Sequence, residues 1–194
     1  MGMGARTAIT TIPKMGISMM TVKATKTQLL SSLFSPAFPI GAFAFSHGIE
    51  TAINKGFVDS PESLKGWIKT CVCYGSGWND AILLARAWRG DDVNALALAL
   101  AAGRERWQET TELGDAFTRM VTALHPVQLE QGLAYPVAAG LALKQLECGL
   151  ELSLEFYLQA FVANLISVGV RCVPIGQTDG QAILVTLMPS IVDV

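Results

Sequence analysis

Apolar residues recur along this chain at the three-to-four-residue spacing of helices that bury one face. After Ser60, Pro61 suits a first helical position, and Asp59 with Glu62 predicts a capping box. Leu64, Trp67, Ile68, Cys71 and Val72 then form one apolar stripe, and Gly75 and Gly77 mark a break. A second helix is predicted from Trp78 to Arg89, stopped by Gly90. Asp91 is the expected N-cap of the alanine and leucine run Val93 to Ala102. The clearest helix runs from Glu105 to Leu124, with Leu113, Ala116, Phe117, Met120, Val121 and Leu124 on one face. Pro136 opens another helix, which Gly149 is expected to close. Leu152 to Val170 is apolar around most of its circumference, as suits a core or an interface. A last helix is predicted over Gly176 to Leu187. No strand alternation, repeat or domain boundary interrupts this pattern. The pattern predicts an all-α, single-domain helical bundle of about eight to ten helices over residues 26–194. A disordered tail is expected over residues 1–25.

Composition sharpens the picture. Apolar residues make up 51% of the 194 positions and charged residues only 15%, where a typical soluble domain carries about 25% charge. Mean hydropathy is +0.41. Either the helices are unusually well buried or apolar surface is left for a partner. A net charge of −2 gives no basic footprint for nucleic acid. The stretch between Lys26 and Glu50 is uncharged and long enough to span a bilayer, but Pro36 and Pro39 break any continuous helix there. Phe156 to Val170 is uncharged too, yet short for a span and interrupted by Gln159 and Asn164. No membrane segment is expected. The start, "MGMGARTAITTIPKMGISMM", lacks a compact apolar block and cleavage site. The expected location is the cytoplasm, and Cys71, Cys73, Cys148 and Cys172 are expected as buried thiols.

Candidate chemistry is sparse. "GSGWND", Gly75 to Asp80, has no phosphate-binding lysine and reads as a helix break. Cys71 and Cys73 stand two apart on a predicted helix and so do not share a face. His47 and His125 are the chain's two histidines, and neither lies in a His/Cys cluster in sequence. No metal site is assigned. At His47 a hydrogen-bonded histidine at a helix start is the expectation over a transient cation contact. Ser46 beside His47 makes no nucleophile–base pair, because sequence neighbours seldom face each other. Glu105, Glu109 and Glu112 fall along one helical face, to bind a cation or a partner's arginine or to form a solvated acidic face. Gly176 and Gly180 are four apart, as are Gln177 and Gln181, so a helix there carries a glycine edge flanked by amides. That edge serves either close approach of a partner backbone or packing within the subunit.

Three stretches resemble one known family. "SPAFPIGAFAFSHGIE", Ser35 to Glu50, is similar to the N-terminal signature of the urease accessory protein F family (UreF), S-P-x-x-P-[VI]-G-[GA]-F-x-[YF]-S-[HQ]-G-[LI]-E. "ERWQETTELGDAF", Glu105 to Phe117, resembles its central E-R-x-x-E-T-x-x-x-G-x-A-F, and "PIGQTDGQAIL", Pro174 to Leu184, its C-terminal motif. The order is right, and the resemblance spans about Leu29 to Pro189. Phe45 stands where tyrosine is common, Ala42 where glycine is frequent, and Trp107 where some relatives have histidine.

The resemblance implies an all-helical scaffold, not an enzyme, that helps load nickel into apo-urease. Its implied partners are an accessory protein of the D or H type, the nickel-carrying GTPase of the G type, apo-urease and a second copy of itself. No resident cofactor is implied, and nickel touches the assembly only transiently. Pro39, Gly41, Phe45, Ser46, His47, Glu50, Glu109, Gly176, Gln177, Asp179 and Gln181 are the expected partner contacts. Pro39 and Gly41 are expected to set up a helix carrying Phe43, Phe45 and His47, partly packed and partly presented for docking. Two rivals come from other classes: a helical enzyme with a buried small-molecule pocket, and a stand-alone nickel carrier.

Overall fold

A computed structural model of the chain describes residues 19–194, with side chains from Thr25 onward. Among these residues there are nine α-helices, a single turn of 3-10 helix and no strand. The helices are α1 (Met19–Leu33), α2 (Ile49–Asn54), α3 (Pro61–Tyr74), α4 (Ser76–Arg89), α5 (Asn94–Leu100), α6 (Arg104–Leu124), α7 (Tyr135–Gln145), α8 (Leu150–Cys172) and α9 (Gln177–Val192). The 3-10 turn, Ala42–Ala44, lies between α1 and α2. The fold is therefore all-α, as the periodicity predicts. Helix α1 begins at Met19, inside the stretch read as a tail; the rest of that stretch lies outside the described residues.

The long apolar helix α8 is the axis of the bundle. It packs against α1, α2, α3, α4, α7, α9 and the 3-10 turn. Leu158, Val162, Leu165, Val168 and Gly169 are buried along it. Its 23 residues are long and apolar enough to cross a membrane. Contacts on several sides account for the same composition without one. A second focus forms where α7 lies along α4. Leu83, Ala87, Val93, Ala97, Ala134 and Val137 bury a smaller cluster there, because alanines let the helices approach closely. The charge-free stretch after Lys26 is not one helix: α1 stops at Leu33, and turns follow through Pro36 and Pro39.

Several predicted boundaries are corrected. Ser60 caps α3 through a reciprocal pair with Ser63, and Asp59 accepts from the Ser63 hydroxyl, so Glu62 takes no part. Gly75 alone separates α3 from α4; Gly77 is buried inside α4. Asp91 does not cap α5. It pairs with Arg86 at the end of α4, and Val93 occupies the cap position without a side-chain bond. Helix α7 ends at Gln145, where Glu147 turns left-handed, and Gly149 opens α8 rather than closing α7. All four cysteines are free, but only Cys148 is buried, while Cys172 is exposed.

Candidate functional site

The first two motifs meet inside the molecule. Between Pro39 and Gly48 the chain runs as a strap over α8. Gly41 and Gly48 adopt left-handed backbones with φ of 82° and 79°, which L side chains rarely tolerate. His47 itself is left-handed, at φ 49°. The predicted helix through Phe43, Phe45 and His47 is therefore absent. Only Ala42–Ala44 is helical, Phe45 is extended, and α2 starts at Ile49 after Gly48.

Polar bonds pin the strap. The Asn164 side-chain amide donates to the carbonyls of Ala42 and Phe45, at 3.0 and 3.1 Å. The Trp67 indole N–H donates to the His47 carbonyl at 3.3 Å. The His47 ring points inward, its side chain only 7% exposed. Its Nε2 lies 2.9 Å from Glu109 Oε1, and its Nδ1 lies 2.9 Å from the hydroxyl of Ser76, the first residue of α4. Because a carboxylate can only accept, Nε2–H donates to Glu109, and Nδ1 shares a hydrogen bond with the Ser76 hydroxyl. Phe161 meets the ring edge-on, with centroids 4.7 Å apart.

From Glu109 the network continues inward. Arg106 reaches Glu109 Oε2 at 3.0 Å and Asp80 Oδ1 at 2.5 Å. The Tyr157 hydroxyl donates to Asp80 Oδ2 at 3.0 Å. Burial pushes the Asp80 carboxyl up from its ordinary value, against the opposing pull of Arg106. Glu109 goes the other way: burial would raise it, but the hydrogen bond from His47 and the charge of Arg106 hold it below the usual glutamate value. Burial and the nearby Asp80 charge raise the phenols of Tyr157 and Tyr135, so both stay protonated at neutral pH. This arrangement orients and fixes groups. Among the described residues no group of three His, Cys, Asp or Glu side chains is arranged to hold a metal ion.

The acidic face proposed for Glu105, Glu109 and Glu112 does not exist as such. Glu105 and Glu112 are exposed, whereas Glu109 is buried between His47 and Arg106. Neither Glu109 nor the His47 ring is available as a surface contact in the free subunit. Ser46 and Phe45 are half-buried in the strap, while Pro39 and Glu50 are exposed. Phe43 is the open ring, 70% exposed. Asp80, Ser76, Arg106, Tyr157 and Asn164 complete the junction and are not among the contacts expected from sequence. Asn164 carries a weak signal, as a polar position in the uncharged stretch Phe156 to Val170.

The third motif is distant in role. No glycine edge forms. Gly180 is buried against α8, where a Cβ would sit 3.0 Å from both Ile166 and Val170. Gly176 lies before the helix and is exposed. Asp179 accepts the Gly176 N–H at 3.0 Å, capping α9. Gln177 and Gln181 face outward, and the same face continues through Val185, Met188 and Val192, which are 61%, 41% and 67% exposed.

Comparison with known proteins matches the UreF family model over residues 58–188, which includes the second and third motifs. A urease accessory protein UreF of Ruegeria pomeroyi is 42% identical over 166 residues, covering 82% of this chain and 76% of the relative. One from Cereibacter sphaeroides strain ATCC 17029 is 49% identical over 160 residues, 81% of this chain and 76% of its own length. A Rhizobium etli protein of the same name is 43% identical over 175 residues, covering 85% and 78%.

Proposed function

The chain belongs to the UreF family of urease accessory proteins, and from that premise we propose that it is a non-catalytic cytoplasmic scaffold for nickel insertion into apo-urease. In this role it binds an accessory protein of the D or H type, recruits the nickel-carrying GTPase of the G type, and works as a homodimer. Nickel is cargo of the assembly and not a resident cofactor of this subunit. The observation that carries the proposal is the outer face of α9. Gln177, Gln181, Val185, Met188 and Val192 follow one another at helical spacing, all exposed. Apolar side chains aligned along a helix with amides at one end suit a polypeptide partner, which can bury the former and hydrogen-bond the latter.

Control of the GTPase through such a scaffold is a population shift. It requires tighter binding to one nucleotide state than to the other. The test is co-purification of the immobilised chain with the D or H type protein and with the GTPase loaded with either GDP or a non-hydrolysable GTP analogue. Recovery of both partners, with the GTPase retained in one nucleotide state, is expected. Equal retention in both states rejects regulation, and recovery of neither partner rejects the scaffold.

A further inference from the structure

Beneath the strap lies a cavity of about 450 Å³. That is the size of a small-molecule site. Aromatic rings form its walls: Phe34, Tyr135, Phe156, Tyr157 and Phe161. Its polar end is formed by His47, Asp80 and Glu109. Among the described residues no lysine or arginine lines it. Arg106, the guanidinium set against both carboxylates, lines a second, smaller cavity that shares His47 and Asp80 with the first. Each carboxylate uses one bond per oxygen in the network, and a carboxylate has about four acceptor sites. Acceptor capacity therefore remains on both carboxylates, which line the cavity.

Aromatic faces attract cations through their quadrupoles, and do so more strongly where water is excluded. A buried carboxylate pair set against one guanidinium favours a further positive charge and disfavours an anion. The geometry points to a small organic monocation as the ligand of this cavity. It would carry an amidinium, guanidinium or ammonium head at Asp80 and Glu109 and an apolar body among the rings. Nothing in this inference depends on the role of α9.

Calorimetric titration of the intact chain with benzamidine, benzamide and benzoate tests it, because the three share one shape and differ in charge. Benzamidine is expected to bind with a Kd of about 1 mM or better, at least about tenfold tighter than either analogue. Ala163→Leu, which grows a half-buried α8 position on the cavity wall, is expected to weaken benzamidine at least about tenfold while leaving the circular dichroism spectrum unchanged. Asp80→Asn is expected to do the same, and if it fails to fold the Ala163 variant decides alone. A tetrapeptide with one internal arginine separates two sources of the cation. Affinity matching benzamidine assigns the cation to a partner's side chain, whereas no binding beside a benzamidine signal assigns it to a free small molecule. Equal affinity for the three isosteres, no benzamidine binding, or binding that Ala163→Leu leaves intact would each overturn the proposal.

Discussion

The junction under the strap and the outer face of α9 are built from motifs of one family resemblance, yet their side chains end in opposite environments. At the junction, His47 from the first motif and Glu109 and Arg106 from the second meet each other, with Asp80 and Tyr157 behind them. Each of their charged groups is bonded within the subunit. On α9, Gln177 and Gln181 point to solvent beside exposed valines and a methionine. The difference teaches that a motif residue can serve the fold by fixing a surface, or serve recognition by being part of it. Charge at a helical position does not distinguish the two roles.

The sharpest way to break this contrast is Arg106→Met. Removing the shared cation strands Asp80 and Glu109 in a buried site, and loss of one member of a buried ion pair costs about 3–5 kcal/mol. Urea denaturation should show that loss. A cost below about 1 kcal/mol would mean that the junction contributes no more than a surface pair. On the other side, Val185→Glu with Met188→Glu should reduce partner capture at least about tenfold, while surface changes of this kind leave stability within about 0.5 kcal/mol. Parallel loss of stability and capture would instead place that face in the fold.

The two strap phenylalanines sharpen the comparison at smaller scale. A segment partly packed and partly presented for docking predicts that Phe45→Ala weakens partner capture and leaves stability nearly intact. Phe45 is half-buried in the structure, so the expected cost becomes about 1–2 kcal/mol, a fraction of full burial. Phe43→Ala, at the open ring, should stay within about 0.5 kcal/mol. Thermal unfolding of both variants checks the ordering.

The smallest expected effect is on pH dependence. Glu109 lies below its ordinary value of 4.5 in the fold, so its stabilising contribution is complete above 4.5 and disappears as pH falls through the lower, folded value. Asp80, raised above 3.8, has the opposite sign: its contribution is present in acid and is lost as pH rises through its folded value. Glu109→Gln should therefore flatten the acid limb of the stability profile and leave the Asp80 trend exposed. An acid limb of unchanged slope in that variant would remove Glu109 from the titrating groups.

Periodicity located the helices because burial of one face repeats every turn, and α6 and α8 were legible within a few residues. Caps were less legible. Ser60 and Ser63 close α3 where Asp59 and Glu62 were expected, since hydroxyl pairing depends on local geometry that composition does not encode. The strap was misread as a helix entered through Pro39 and Gly41 and carrying Phe43, Phe45 and His47. Left-handed backbones at Gly41, His47 and Gly48 and anchoring by Asn164 forbid it. Glu109 shows the same limit, because its helix face is occupied by His47, a residue far away in sequence.

By itself, then, the chain's order of apolar and polar residues determined an all-helical fold with one long apolar helix, and the three motifs carried the family resemblance. Tertiary structure decided which motif residues face inward. It paired His47 with Glu109 and Ser76, buried Gly180 against α8 and left Gln177 and Gln181 outside. Burial periodicity is a local property, written into each helix. The partner of a buried charge is set only when distant segments pack and water is gone.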